Sequence, residues 1–480
     1  MPPTIALFGC LCLILALFVL DRRWRQPISI GGWIPLFWAL LQGSRPISAW
    51  FARSEVNSLQ AVYEGNPLDR TVILILVATG LLVLLVRRFN WLQFASANKW
   101  VIVFFAYLCL SLLWSDYTFI AFKRWIRDAG NLIMVLVVVS EANPLSAAKA
   151  LFIRAAYVLV PLSFLVTRYF PEIGRYYDQW GRAYDAAIAA DKNMLGLTLT
   201  VLSLALVWGI IDGGKEKASS GKKLEISVYA MLLTMIAWLM KMADSATATA
   251  CIVLGTMTMI VLGLNSIRRT LRLWITVGIM TAALISVPDV RTMLLEPIVE
   301  LLGRNMTFTG RDVVWEVLLQ EDVNPIVGTG AYSFWMGSRI DVGIPGIPGA
   351  NEAHNAYLEV YLNVGLVGLA LYLVILASAT RKTVGQLVRG ERGEWDRFRL
   401  SFVIVTVVYG ITEAVVRQNL IWLGLLLFVS RVSPLREDAR APTKPRQSSV
   451  PPASVLVRRN KSMPIDVHRV GRSPSGSSPA

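Results

Sequence analysis

The chain has 480 residues, of which 55% are hydrophobic and only 16% charged, and its mean hydropathy is +0.54. A soluble domain carries about a quarter charged residues, so this composition excludes a single water-solvated core and calls for lipid around most of the chain. The net charge of +15 does not signal nucleic-acid binding, because the basic residues sit in short loops between apolar runs and in the tail, the orientation pattern of an inner membrane protein.

The first apolar run, Ile5–Leu20, lacks a basic region before it, is followed by Asp21-Arg22-Arg23-Trp24-Arg25, and has no small-residue cleavage site. It reads as a retained span rather than a signal peptide. Further runs able to cross about 30 Å of hydrocarbon are Ile28–Leu41, Val72–Val86, Trp100–Trp114, Ile126–Val139, Ala150–Tyr169, Met194–Ile211 and Ile226–Met242. Ala246–Leu264, Leu271–Val287, Ala356–Ala377, Leu400–Val416 and Leu420–Val432 complete the set. The fold class expected is therefore all-α and polytopic, with about 12–13 transmembrane helices. The second and last runs are short enough to be half-spans.

With the N-terminus outside, the basic clusters Arg22–Arg25, Arg87–Lys99, Lys215–Lys223, Arg268–Arg272 and Arg381–Arg399 all fall inside, as does the tail. One orientation thus satisfies the positive-inside rule at almost every loop. Residues 1–432 form the membrane domain. Residues 433–480, rich in Pro, Ser, Arg and Lys, bury too little apolar surface to fold and read as a disordered cytoplasmic tail. Three segments lie outside: Gln42–Arg70, Phe170–Lys192 and the longest, 288–355, of a length that usually carries function.

Cys10, Cys12, Cys109 and Cys251 all lie in apolar runs and read as small buried hydrophobes. The only histidines are His354 and His468, which excludes a multi-histidine metal site, and no cofactor or metal is expected. In the long outer loop, Thr309 and Asp312 have the spacing of a helix start that runs to about Gln320. Arg311 then stands in its first turn, where free N–H groups and a guanidinium suit a phosphate or diphosphate, with Trp315 on the same face. An ordinary capped loop helix would read the same way. The glycines of Asn324-Pro325-Ile326-Val327-Gly328-Thr329-Gly330 permit close backbone approach, to a ligand or merely within an irregular loop.

His354 stands at the outer mouth of the next span and is the one outer histidine. Tyr357 and Tyr361 follow at helical spacing, as interface anchors do. Glu359, about a turn deeper, is costly there and is a functional candidate. The second outer loop adds Arg182, Lys192 and Asn193. Cations are depleted from outer loops, so Arg182 and Lys192, with Lys123 and Arg124, suggest an anionic ligand on that side, although scattered snorkelling charge would read the same way.

Four stretches together resemble the O-antigen ligase and polysaccharide polymerase superfamily, and within it the exopolysaccharide-polymerisation proteins of rhizobial type. They are Trp180-Gly181-Arg182 through Asp191-Lys192-Asn193-Met194-Leu195-Gly196; Asp244-Ser245-Ala246-Thr247-Ala248; Phe308 to Trp315 with Asn324 to Gly330; and Ala353 to Glu359 with Gly365 to Leu369. The resemblance spans about residues 70–432. It implies a metal-independent membrane glycosyltransferase that moves a glycan from an undecaprenyl-diphosphate carrier to an acceptor glycan at the periplasmic face, with a flippase and a chain-length regulator as further partners. In it Arg182 and Arg311 match the family arginines associated with the diphosphate, and His354 matches the family histidine. The segment between Arg182 and Lys192 departs from relatives, which have a shorter glycine-containing turn ending in a histidine.

The chemistry agrees. Arginines stabilise a diphosphate leaving group without a metal, and histidine suits the base for a sugar hydroxyl. The expected catalytic residues are His354 and Arg311. Arg182, Lys192, Asn193, Trp315, Tyr357 and Glu359 are expected to bind substrate. A ligase acting on lipid A core would need the same residues. A transporter would need ionisable residues along a mid-membrane path, where the sequence offers few beyond Lys241, Glu413 and Arg417.

Overall fold

The computed structural model describes residues 1–51, 65–177, 183–214, 220–274, 276, 278, 311–347, 350–390, 393–416 and 419–430. The tail expected over residues 433–480, Arg182 and Arg417 lie outside the described residues, as does most of the expected span Leu271–Val287. Helices in chain order are α1 (Pro3–Trp24), α2 (Trp33–Gln42), α3 (Ile47–Phe51), α4 (Pro67–Val86), α5 (Trp91–Ala97), α6 (Lys99–Leu110) and α7 (Thr118–Val139). They continue as α8 (Pro144–Tyr169), α9 (Pro171–Gly174), α10 (Lys192–Gly213), α11 (Ser220–Ala243), α12 (Ala246–Val261) and α13 (Asn265–Arg269). The last five are α14 (Arg311–Leu319), α15 (Ser338–Asp341), α16 (Ala356–Arg389), α17 (Glu394–Tyr409) and α18 (Leu420–Val429). A two-stranded hairpin, β1 (Arg175–Tyr177) against β2 (Ala183–Asp185), pairs Tyr176 with Tyr184.

The all-α polytopic architecture is as expected, but the number of long spans is lower. Among the described residues, α1, α4, α8, α10, α11 and α16 are long and apolar enough to cross a membrane. The pair α5 and α6, bent by 100° with a short 3₁₀ extension to Trp114, raises this to seven if counted as one span. The remaining expected runs fall short for identifiable reasons. Ile30–Gln42, α12 and α18 are apolar but under 18 residues. The helix α7 begins well before its apolar run and so includes Lys123, Arg124, Arg127 and Asp128, while α17 opens with Glu394, Asp396, Arg397 and Arg399.

Burial separates a central bundle from lipid-facing helices. On α8 and α10 almost every residue is enclosed, and Tyr157, Phe152 and Trp422 are fully buried. By contrast, Phe8, Leu15, Leu82 and Leu85 on α1 and α4 are exposed, as a surface solvated by acyl chains should be. At one end of the bundle a buried ionic network joins three helices: Asp21 of α1 accepts from Arg25 at 2.6 Å and from Arg154 of α8 at 2.8 Å, and Arg25 also meets Tyr229 and Glu225 of α11. Such pairing offsets the cost of taking charge out of water.

The helix α16 is broken. Val364 and Gly365 leave helical geometry, Gly365 at φ +64°. The exposed backbone groups at this break are satisfied by the glycine-rich loop: Leu366 N donates to Pro325 O at 2.9 Å, Val367 N to Ile326 O at 3.2 Å, and Thr329 N to Leu362 O at 3.2 Å. Tyr107 of α6 donates to Val364 O at 3.0 Å. Unpaired backbone at membrane depth is tolerated only when protein satisfies it in this way. The glycines of residues 324–330 therefore make a close approach to another helix: a Cβ at Gly328 would lie 2.5 Å from the Asn363 backbone, and one at Gly365 2.2 Å from Ile326 O.

Candidate functional site

Alternating passage through the bundle brings the starts of α10, α12 and α16 and the end of α17 to one end. Each start is prepared locally. Asp191 caps α10 by accepting from Asn193 N at 2.8 Å and Met194 N at 2.9 Å. Asn355 caps α16 by accepting from Tyr357 N and Leu358 N, both at 3.0 Å. Before α12, Asp244 adopts φ +46°, and His354 also lies at +46°. Non-glycine residues in this region are strained and cluster at functional positions. Converging helix N-termini present partial positive charge and free N–H groups to whatever lies between them.

Arg311 is the first described residue of α14, whose expected cap Thr309 lies outside the described residues, and that helix stops at Leu319, close to the expected Gln320. Its guanidinium reaches back to the turn after α17: Nη1 donates to Thr412 O and Nη2 to Glu413 Oε1 at 2.6 Å. The other oxygen of that carboxylate, Oε2, lies 3.3 Å from His354 Nδ1. Glu352 Oε1 is 2.9 Å from the same nitrogen. Arg311 and His354 are thus brought together through Glu413, which is 3% exposed. Burial disfavours the imidazolium, but hydrogen bonds and charge from Glu352 and Glu413 outweigh it and push the His354 pKa up to about 9.

The other expected residues occupy distinct places. Trp315 Nε1 donates to Ala353 O at 2.9 Å, which fastens α14 beside His354. The Tyr357 hydroxyl donates to Val407 O of α17 at 2.9 Å. Trp315, Leu319, Tyr357, Tyr361 and Leu369 line an open apolar groove of about 350 Å³ adjoining His354's helix. Glu359 is turned away from that groove into the small core beneath the loop before α16, where it accepts from Trp335 Nε1 at 3.0 Å and Ala353 N at 3.0 Å. Its contacts give it the role of anchoring the backbone next to His354. Lys192 packs its ammonium over the Tyr184 ring, 5.2 Å from the centroid. Asn193 stands in the first turn of α10, whose cap Asp191 is within electrostatic reach of Glu352 and Glu413.

Two residues central to this geometry, Glu352 and Glu413, carried no assigned role in the sequence. Glu413 was legible only as a costly acid in an apolar stretch; its partners lie 59 and 102 residues away. Glu352, His354 and Glu413 offer ligand atoms all within 4.8 Å of one another, a set of the kind that holds a metal ion. Arg311 already engages the Glu413 carboxylate in that set. Asp128 was also unmarked. It accepts from Tyr332 OH at 2.6 Å, Trp422 Nε1 at 2.7 Å and Asn131 Nδ2 at 3.1 Å, tying the loop before α16 to α7 and α18. Enclosed by three donors, it does not line an open path of the kind a transporter needs.

Residues 229–373 match the family described as O-antigen ligase, a stretch that contains Asp244, Arg311, Trp315, His354 and Glu359. The chain is also 23% identical over 317 residues to the exopolysaccharide production protein ExoQ of Rhizobium meliloti (strain 1021), across 62% of this chain and 68% of that relative. Both matches agree with the motifs that meet around Glu413: the chain is similar to the O-antigen ligase and polysaccharide polymerase superfamily, and within it to rhizobial exopolysaccharide production proteins.

Proposed function

We propose that this protein is a membrane glycosyltransferase that polymerises undecaprenyl-diphosphate-linked oligosaccharide repeat units into exopolysaccharide at the periplasmic face. The observation that carries the reading is the convergence of Arg311 and His354 on one buried carboxylate at the end of the bundle where three helices begin. Arg311 and Arg182 hold the diphosphate, and Lys192 and Asn193 lie at the positive end of α10 beside it. The isoprenoid lies along the apolar groove under Trp315 and Tyr357. His354 takes the proton from the acceptor hydroxyl as that oxygen bonds to the anomeric carbon. The bond from that carbon to the diphosphate breaks, and the carrier diphosphate leaves with its electron pair stabilised by the arginines.

The flanking carboxylates fix the His354 tautomer. Nδ1 carries its hydrogen toward Glu352 and Glu413, which leaves Nε2 as the basic atom. With a pKa of about 9, the neutral base is a minority of roughly 1% at pH 7, but it is a strong one. No metal is assigned a step. The test is to purify the full chain with His354→Ala and assay long-chain polymer from carrier-linked repeat units; wild-type chain length would sink the reading.

The O-antigen ligase match favours a second reading, transfer of the glycan to lipid A core by the same residues. The acceptor separates them. Loss of secreted polymer with intact lipopolysaccharide in a deletion strain supports polymerisation, while undecorated lipopolysaccharide supports ligation.

A further inference from the structure

A cavity lies far from His354, at the elbow between α5 and α6. Its volume is about 180 Å³, and its wall includes Ser96, Asn98, Lys99, Trp100, Ser378 and Lys382. The two lysines come from different helices, and the Lys99 ammonium lies 5.1 Å from the centroid of the Trp100 ring. Lys99 opens the twelve-residue α6, so the helix N-terminus adds partial positive charge to theirs. Lys382 lies toward the end of α16 remote from Ala356, beyond the break at Val364 and Gly365.

The elbow itself sets the depth of this cavity. α5 lies at 100° to α6 and exposes Trp91 and Leu92, at 43% and 84%, while its Phe94 is buried. A short helix that crosses the span direction with an aromatic and an aliphatic side chain outward has the form of an interfacial helix. Trp100, 36% exposed, also lines the cavity, to which Val101 and Ile375 contribute apolar surface. Cationic groups at headgroup depth, beside apolar surface, match a phosphodiester followed by acyl chain.

We propose that this elbow cavity binds the headgroup of an anionic phospholipid, in the leaflet opposite the Arg311–His354 site. Lys99 and Lys382 pair with the phosphodiester, and Ser96 and Ser378 donate to it. The lipid holds α5 at its right angle to α6, and through α6 it braces Tyr107, which supports the break in α16.

The test uses the full-length protein in nanodiscs of mixed dioleoylphosphatidylglycerol and dioleoylphosphatidylcholine, followed by native mass spectrometry of lipids that remain bound. The wild type should retain phosphatidylglycerol in preference to phosphatidylcholine. Lys99→Gln and Lys382→Gln should each lower that retention about fivefold. Ser378→Asp, which adds a negative charge while keeping both lysines, should lower it as well. Glycerol 3-phosphate added to the detergent-solubilised protein should not displace the lipid. Equal retention of both lipids, unchanged retention in all three variants, or displacement by glycerol 3-phosphate would each overturn the proposal, the last by making a soluble phosphate the ligand. Because the readout is lipid retention, it stands apart from any result on His354.

Discussion

Arg311 and His354 lie on the two oxygens of a single carboxylate, Oε1 and Oε2 of Glu413. The guanidinium comes from a loop helix, the imidazole from the mouth of a membrane helix, and the carboxylate from a turn that follows a third helix. Any anion entering between them would compete with Glu413 for Arg311, so the proposed diphosphate binding would be coupled to the state of His354 through one side chain. Five expectations follow from this arrangement and from the packing that supports it.

Glu413→Gln should leave the Arg311 charge largely enclosed without its acidic partner. The side chains of the pair are 17% and 5% exposed, so the loss should reach about 3 kcal/mol. A thermal melt of the purified variant, with a visible fall in midpoint, checks this. Glu413→Asp, which keeps the charge but shortens the arm, should recover part of the loss.

The pH dependence has a defined sign. His354 has its pKa raised from the usual 6.5 to about 9, so its imidazolium contacts contribute stability fully below about 6.5. That contribution is lost as pH rises through about 9. The rate should move in the opposite direction, rising through the same window as the basic form accumulates. Parallel pH profiles of melting and of polymer formation test both trends. His354→Gln should flatten the melting profile in this window, and a rate that falls from pH 6.5 to 9 would contradict the base role.

Arg311→Lys tests the forked contact. A guanidinium reaches Thr412 O and Glu413 together, which a lysine cannot do in the same geometry. The variant should fold, since charge is kept, but turn over carrier-linked substrate about a hundredfold more slowly. Wild-type turnover in both Arg311→Lys and Arg311→Ala would remove the arginine from the mechanism.

Gly365→Ala should be strongly destabilising, because its φ of +64° and a Cβ only 2.2 Å from Ile326 O force the loop and the helix break apart. A loss above about 2 kcal/mol is expected from strain and overpacking. Gly221→Ala, with nothing within 4 Å of the added Cβ, should stay within about 0.5 kcal/mol of wild type. Comparison of the two midpoints under one detergent condition gives the answer.

Chelation addresses the Glu352, His354 and Glu413 set. With Arg311 bound to Glu413, a cation would have to displace an internal ion pair to enter. Polymer formation should therefore be unaffected by excess EDTA and unchanged by added manganese. A loss restored by a divalent ion would show that the carboxylates serve a metal instead.

Much of this protein was legible without coordinates. Apolar runs located α1, α4, α8, α10, α11 and α16 because a chain in lipid must satisfy its backbone within each helix, and a short-range rule of that kind leaves its trace in consecutive residues. The helix at Arg311–Leu319 was legible for the same reason, since helical spacing is local, although its expected cap Thr309 lies outside the described residues. The span count was less so. Charges in α7 and α17 lie within helices whose boundaries the apolar runs alone did not mark.

The sequence by itself determined the lipid environment, the helical class and the residue types gathered in the long loops between helices, because each of these is written in composition or in spacing over a few turns. Only the tertiary structure decided that Glu413 joins Arg311 to His354, that Glu359 faces the loop core through Trp335, and that Gly328 presses against the broken helix α16. Those contacts form between segments tens of residues apart. The physical reason is that a carboxylate or a glycine is chosen by whatever surface folds against it, and no local pattern records which surface that will be.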